Sequence, residues 1–543
     1  MAHGLEKNAV ELIQRLSAIG VALSVEQDQE ALLEKILVEA KSIAHADGGT
    51  LYYLVNEQLL EFKILHNDTL GIRWGGTLPV AEPLPSLHLY DLETGNPNYH
   101  TQAVYCVLKK KPINIEDAYN ADGFDFKGTR AFDARHGYRT RSVLTIPLVS
   151  HKNEALGCLQ LVNAKSPETG DVIAFSKAIQ QVIHSLASQA AIILDNKGLI
   201  QGQQKLLESF IEVISRAIDR KSPYTGEHCQ RVPAIMAMLI EAACNDAEGR
   251  FRDFTLSPEE KYEVHIASWL HDCGKITTPV HVMDKATKLE TICDRIEILR
   301  TRWEVLRRDA HIALLKAMMK DPSGHAALTQ QYEKDIAALD EELAFIGQCN
   351  TGGEFMSDGQ LERLKQIARR RWSCRGEDLP LLSENELYNL SIRRGTITNE
   401  ERAIMNDHMV VTAEMLETLP FPRHLRQVPE YALGHHERMD GKGYPRGLKA
   451  GTMSIPARMM AVADVFEALT ASDRPYKPAK KLSETMEIIG QMKRTNHLDP
   501  DMVDFLITSK VYLRYARAYL REELIDGIDE EALLAIKPLP MNS

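Results

Sequence analysis

Between Ile179 and Ile218 apolar residues recur in alternating steps of four and three: Ile179, Ile183, Leu186, Ala190, Ile193, Ile200, Leu207, Ile211, Ile214 and Ile218. Lys197 and Gln204 occupy the two polar places in that series. A heptad sustained this long predicts one continuous helix over residues 172–221, and about 45 residues at 1.5 Å each give a rod roughly 65 Å long. Its narrow seam calls for a partner, either the same helix of a second copy in a parallel coiled coil or a surface within its own subunit. Gly198 costs about 1 kcal/mol of helix propensity relative to alanine. Together with Lys197 and Gln204 it makes a weak point suited to a helix that changes register or splays when a signal arrives.

The chain before the rod, residues 1–171, reads as α+β. Helical spacing up to about residue 45 (Leu12, Ile13, Leu16, Ile19; Leu32, Leu33, Ile36, Leu37) gives way to short β-branched or aromatic runs at Thr50–Val55, Leu59–Leu65, Ser142–Val149 and Leu156–Val162. A long polar segment, 67–138, separates the two pairs of strands. The stretch GYRTRSVLTIPLVSHKNEALGCLQLVNAK, with NIEDAYNADGF before it, resembles a GAF sensory domain. The resemblance implies an antiparallel sheet flanked by helices that can enclose a small ligand, often a cyclic nucleotide, or serve only as a dimerisation platform. Tyr138, Arg141, Asp117 and Asn163 are candidates for lining such a pocket, set against surface or loop-capping roles. The ligand itself is not legible.

Composition narrows the class. The 543 residues suggest about three to four domain-sized units, and 44% apolar with 26% charged residues describes an ordinary globular chain. A net charge of −12 leaves no basic stripe to track a nucleic-acid polymer, so an anionic substrate must be met by local cations and metal. No window approaches the roughly 18 apolar residues that cross a bilayer, and the N-terminus lacks a secretory pattern, so the expected location is cytoplasmic. Eight cysteines (106, 158, 229, 244, 273, 293, 349, 374) lack paired CxxC spacing and read as reduced thiols.

After the rod, residues 222–520 carry the chemistry. His435–Pro445 reads HHERMDGKGYP, adjacent imidazoles leading into a loop where Gly441 and Gly443 allow unusual backbone angles or close approach and Pro445 stiffens the exit. His271-Asp272-Cys273-Gly274-Lys275 ends an apolar helical run, His228 lies in SPYTGEHCQRV, His408 follows NEERAIMND, and Asp464 lies in MMAVADVFEALTASDRPY. These motifs resemble the HD-GYP phosphodiesterases, a branch of the HD-domain metal hydrolases, over roughly 210–515. The resemblance implies an all-α hydrolase domain and a centre of two divalent ions. His228, His271 and Asp464 would serve one side, His408, His435 and His436 the other, with Asp272 as the carboxylate between them. Hard carboxylate and borderline imidazole donors suit iron or manganese, with zinc the remaining candidate.

Further candidates follow from position beside these motifs. Lys275 is a candidate for contact with the phosphate, Arg474 and Lys477 for a phosphate clamp, and Gly443 and Tyr444 for substrate contact; Glu437 and Asp440 orient the loop. Some family members carry a glutamate one helical turn before the residue matching His228 and use it for a third metal. Tyr224 stands there in this chain, which favours two ions and slower or absent onward conversion to mononucleotide. About a hundred additional residues, 286–388, interrupt the motif series. Their seam spacing on either side of Asp321-Pro322-Ser323-Gly324 predicts an antiparallel helical hairpin, with a third helix over about 357–371. Residues 521–543 read as a tail.

The expected protein is a sensor-regulated, parallel dimeric phosphodiesterase, for which the resemblance implies cyclic di-GMP as substrate and linear pGpG as first product. The open alternatives are the same chemistry on another cyclic dinucleotide such as 3′,3′-cGAMP, or a scaffold that binds nucleotide or a GGDEF-domain partner without turnover.

Overall fold

The computed structural model describes residues 14–540 apart from 15–16, 24, 27, 81–85, 222–227, 354 and 472–479. Tyr224, Arg474 and Lys477 lie outside the described residues. The chain divides into two compact units, residues 1–206 and 207–543.

The first unit is built on an antiparallel sheet in the order β3-β2-β1-β7-β6-β5. Its main strands are β1 (Ala46–Val55), β2 (Leu59–Asn67), β3 (Ile72–Gly75), β5 (Ile113–Ile115), β6 (Val143–Val149) and β7 (Ala155–Lys165), with the two-residue β4 (Leu87–His88) on β2 and β8 (Val172–Ile173) on β7. Alternation along the strands gives the sheet two apolar faces. Leu51, Ile64, Leu144, Ile146, Leu159 and Leu161 meet the helix Gln29–Ala44, whose N-terminus Asp28 caps by accepting from the Ala31 N–H at 2.9 Å. Leu60, Tyr52 and Cys158 face the opposite way, toward the helix Gln102–Lys109.

The rod is a single helix, Lys177–Lys221, of 45 residues. Its expected start at 172 is corrected, because Val172 and Ile173 pair with β7 instead. The seam is not one surface. Ile183, Leu186 and Ala190 are fully buried against the sheet of their own unit, and Ile211 and Ile218 belong to the core of the second unit. Between these ends Leu199, Ile200, Leu206, Leu207, Phe210, Val213 and Ile214 are exposed.

In the second unit helices His228–Cys244, Pro258–Leu270, His408–Thr418, Val428–Leu433, Ile455–Thr470 and the helices from Leu482 to Tyr519 share one apolar core. The interrupting segment has a core of its own around Leu299, Trp303, Ile346, Leu364 and Leu390. There helices Ile296–Lys320 and His325–Thr351 pack against each other, joined by a turn in which Asp321 accepts from the Ser323 N–H at 3.1 Å. The third helix spans Asp358–Ala368, short of the expected 371. Arg371–Cys374 is instead β9, paired with β10 (Glu377–Pro380), so this unit is not wholly helical. Arg375 and Gly376 both take positive φ (56° and 82°), the backbone twist of a two-residue hairpin loop. Arg370 and Arg371 pair with Glu342 and Asp378 on the surface of this segment.

Candidate metal centre

Three of the candidate histidines occupy equivalent local positions. His271 directly follows helix Pro258–Leu270, while His408 and His435 stand two residues past helices Asn399–Asn406 and Val428–Leu433. A break at Asp407 makes His408 the opening residue of the next helix, His408–Thr418. The last turn of a helix is short of backbone donors for its carbonyls. Each imidazole turns back to one of them through Nδ1: His271 to Ser268 at 2.7 Å, His408 to Met405, and His435 to Ala432. A carbonyl only accepts, so Nδ1 carries the hydrogen and Nε2 presents a lone pair.

Those lone pairs converge on Asp272, which is 1% exposed. Its Oδ1 faces His408 Nε2 at 3.5 Å and His435 Nε2 at 3.8 Å. Its Oδ2 faces His228 Nε2 at 3.2 Å and His271 Nε2 at 3.3 Å. Asp464, on helix Ile455–Thr470, brings Oδ1 to 3.3 Å from His228 Nε2 and 3.9 Å from His271 Nε2. His436 joins the first group, its ring centroid 5.3 Å from that of His408. Two four-residue donor groups result, Asp272-His408-His435-His436 and His228-His271-Asp272-Asp464, each with donor atoms within 4.8 Å of one another and Asp272 common to both.

Such an arrangement is unfavourable without positive charge. Asp272 Oδ1, His408 Nε2 and His435 Nε2 are buried with no hydrogen-bond partner, and an orphaned buried acceptor costs about 1–3 kcal/mol. Burial pushes His408 and His435 below the ordinary imidazole value and His436 down to about 4, so these three rings are neutral at physiological pH. Burial alone would raise the Asp272 carboxyl, but Lys275, His271 and His228 outweigh it and hold it well below the usual carboxylate range. Lys275 supplies this charge by direct contact of Nζ with Asp272 Oδ2. The neutral imidazoles of His408, His435 and His436, with His228 and His271 around the ionised carboxylates of Asp272 and Asp464, form the donor set of a divalent-metal site, and the residues fit one.

Glu467 and Arg231 were not foreseen. Glu467, 1% exposed and three residues past Asp464, meets His228 Nδ1 and accepts from Arg231 Nε at 2.6 Å. It fixes the orientation of His228, which leans on a carboxylate where His271, His408 and His435 lean on helix-end carbonyls. The only advance signal was two carboxylates at helical i,i+3 spacing, which place both on one face.

The loop after His436 is held by its own carboxylates. Glu437 accepts from the Arg446 and Leu448 N–H groups at 2.7 and 2.8 Å, and Asp440 from the Lys442 N–H at 3.0 Å and from Arg438. Gly441 has φ 73°, a conformation that favours glycine. Gly443 is required for a different reason than room for a phosphate. A Cβ there would lie 2.4 Å from Arg438 N and 2.6 Å from His436 O, so the loop's own backbone fills the space. The Tyr444 ring stacks on His436, with centroids 4.8 Å apart.

Residues 384–502 match the HD domain family, and residues 28–194 match the GAF domain family. The chain carries a GAF domain and an HD domain. His408, His435, His436 and Asp464 fall within the HD match, whereas His228, His271 and Asp272 precede it. Among curated relatives, the 3′3′-cGAMP-specific phosphodiesterase 1 of Vibrio cholerae is 44% identical over 80 residues, 15% of this chain and 18% of the relative. A cyclic di-GMP phosphodiesterase of the same organism is 30% identical over 223 residues, 38% of this chain and 41% of the relative. Its 3′3′-cGAMP-specific phosphodiesterase 3 is 32% identical over 322 residues, 59% of this chain and 41% of the relative. The chain thus spans less than half the length of each of these relatives.

The GAF domain holds a cavity of about 620 Å3 between the sheet and helices Gln102–Lys109 and Lys127–His136. Thr50, Phe62, Gln102, Phe126 and Gln160 contribute to its lining, and Gln102 Oε1 is buried there without a partner. Of the four residues expected in such a pocket, Tyr138 lines it and the other three do not. Asn163 accepts from the Arg141 N–H at 2.7 Å and donates to Tyr138 Oη at 2.8 Å, Arg141 donates to the Val172 carbonyl at 3.1 Å, and Asp117 accepts from the Tyr119 N–H at 2.9 Å. Short amide and carboxylate side chains satisfy nearby backbone groups more readily than they reach into a cavity. Among the described residues no helix is long and apolar enough to cross a membrane.

Proposed function

We propose that this chain is a metal-dependent phosphodiesterase that opens cyclic di-GMP to linear pGpG under the control of its GAF domain. The observation that carries the reading is the Asp272 carboxylate, whose two oxygens face separate histidine pairs. In this proposal His228, His271 and Asp464 hold one divalent ion and His408, His435 and His436 the other, with Asp272 shared; iron and manganese fit the mixed imidazole and carboxylate donors. Two bound ions would supply an activated water and positive charge for the phosphate oxygens.

The protein's own groups do the remaining work. The helix-end carbonyls and Glu467 keep the Nε2 atoms of His271, His408, His435 and His228 aimed inward, which lowers the reorganisation needed on binding. Lys275 keeps Asp272 ionised and offers a cation to a phosphate oxygen, with Arg474 and Lys477 proposed as further phosphate contacts from the sequence. Tyr444, stacked on His436, is proposed as the contact to the base. Tyr224 in place of a third-site glutamate supports pGpG rather than GMP as the main product.

The identity of 44% to a 3′3′-cGAMP-specific relative supports a second reading, the same hydrolysis acting on that cyclic dinucleotide. The exposed apolar stripe from Leu199 to Ile214 supports a parallel homodimer through the rod. One experiment tests the reading: anaerobic reconstitution with iron or manganese, turnover of both cyclic dinucleotides, and Asp272→Ala alongside. Equal product from parent and variant removes the mechanism. Tight binding without product in the parent favours a receptor or a scaffold for a GGDEF-domain partner.

A further inference from the structure

The C-terminal end of the rod reaches the backbone on both sides of the His271-Asp272 pair. Ser215, 1% exposed, donates its hydroxyl to the Trp269 carbonyl at 3.0 Å, two residues before His271. Lys221, the last residue of the helix, directs Nζ to the carbonyls of Lys275 at 3.3 Å, Ile276 and Thr278 at 2.7 Å. These carbonyls belong to the 3-10 turn Cys273–Ile276 and the residues just after it, the segment that carries Asp272 into the centre and Lys275 back onto it. Ile211 and Ile218 anchor the same stretch of helix in the apolar core of the unit.

An ammonium has three donors and no acceptor, so a lysine facing three carbonyls makes a compact cap. It adds donors at the end of a turn whose Lys275 carbonyl otherwise accepts from backbone N–H groups such as that of Thr278 at 3.1 Å, just ahead of the short helix Val280–Met283. Rotating or sliding the rod by a fraction of a turn separates Nζ from that end, while Ser215 transmits the same displacement to the residue ahead of His271. We propose that Lys221 is a positioning residue for Asp272 and Lys275. It ties the metal-site turn to the end of the rod, so that movement of the rod is read as geometry at the shared carboxylate. This deepens, and rests on, the phosphodiesterase reading; Lys221 itself touches none of the candidate metal donors.

The test uses the full chain with Lys221→Met, which keeps the methylenes and removes the ammonium, and Lys221→Arg, which restores charge and reach. Expected for Lys221→Met is amide exchange at residues 273–278 about tenfold faster in the metal-free protein, in keeping with the loss of charged hydrogen bonds. Mn(II) affinity falls about tenfold by titration, and kcat falls with KM unchanged. Lys221→Arg recovers most of each. Unchanged exchange and Mn(II) affinity overturn the proposal, as does faster exchange spread evenly over the unit, the mark of general destabilisation. Should Lys221→Met not fold, Lys221→Gln, which shortens the reach and removes the charge, is read by the same criteria. Exchange and metal titration do not need turnover, so an inactive parent defeats the phosphodiesterase reading and leaves the Lys221 result standing.

Discussion

Glu467→Gln isolates what the buried carboxylate behind His228 does. Gln keeps the size and one acceptor oxygen but removes the charge that faces both His228 Nδ1 and Arg231 Nε. Hydrogen bonds to charged groups contribute about 1.5–3 kcal/mol each, and an amide keeps part of one, so a stability loss of about 2–3 kcal/mol is expected. A carboxylate that orients a ligating histidine is worth about 10–100-fold in metal affinity, equal to roughly 1.4–2.8 kcal/mol. The two losses separate experimentally: urea unfolding with chelator present reads the first, and Mn(II) titration of folded protein reads the second. Affinity within twofold of the parent in a folded variant would show that Glu467 serves only the fold, and would remove His228 from the proposed donor set.

Gly443→Ala forces a methyl into space 2.4 Å from the Arg438 nitrogen, so the loop must shift at about 1–3 kcal/mol, and Mn(II) binding by His436 should weaken in titration while far-UV dichroism is retained. In the GAF domain, burial alone would raise the Asp47 carboxyl, but Lys165, Tyr138 and Thr69 outweigh it and hold it below the ordinary value. A carboxyl whose folded pKa is depressed stabilises the fold above its unfolded value and loses that contribution as pH falls through the folded one. The domain should therefore weaken below about pH 4, and Asp47→Asn should flatten that limb when exchange of β1 amides is followed. Leu207→Cys, in a background with exposed Cys293 replaced by Ser, should crosslink two copies under mild oxidation; a monomeric product at all concentrations would refute the parallel rod.

The legible parts of the sequence were those where two constraints coincided. His435-His436 and His271-Asp272 stood out because adjacent donors have few purely structural uses, and the rod stood out because its periodicity is long. Glu467 had no such mark; a glutamate on a helix is ordinary until the fold buries it beneath His228. The rod's seam was read as one surface, covered by a second copy or by its own subunit, because a heptad does not say which surface it covers, and here Ile183 and Ile218 serve different cores. β9 and β10 were missed because Arg375 supplies a positive φ without being glycine or asparagine. Arg141 and Asp117 were named for a cavity that their side chains do not enter, since composition around a turn signals capping and binding alike.

The helix-closing histidines make the centre sensitive to chain length in a way that side-chain chemistry alone would not. Each imidazole is registered to the carbonyl three residues behind it. Adding or deleting a single residue just ahead of such a position swings the ring by about 100° around the helix axis, since one turn takes 3.6 residues. Point changes on the outer faces of those helices should be well tolerated, whereas one-residue indels near residues 268, 405 or 432 should abolish ion binding even in chains that remain helical.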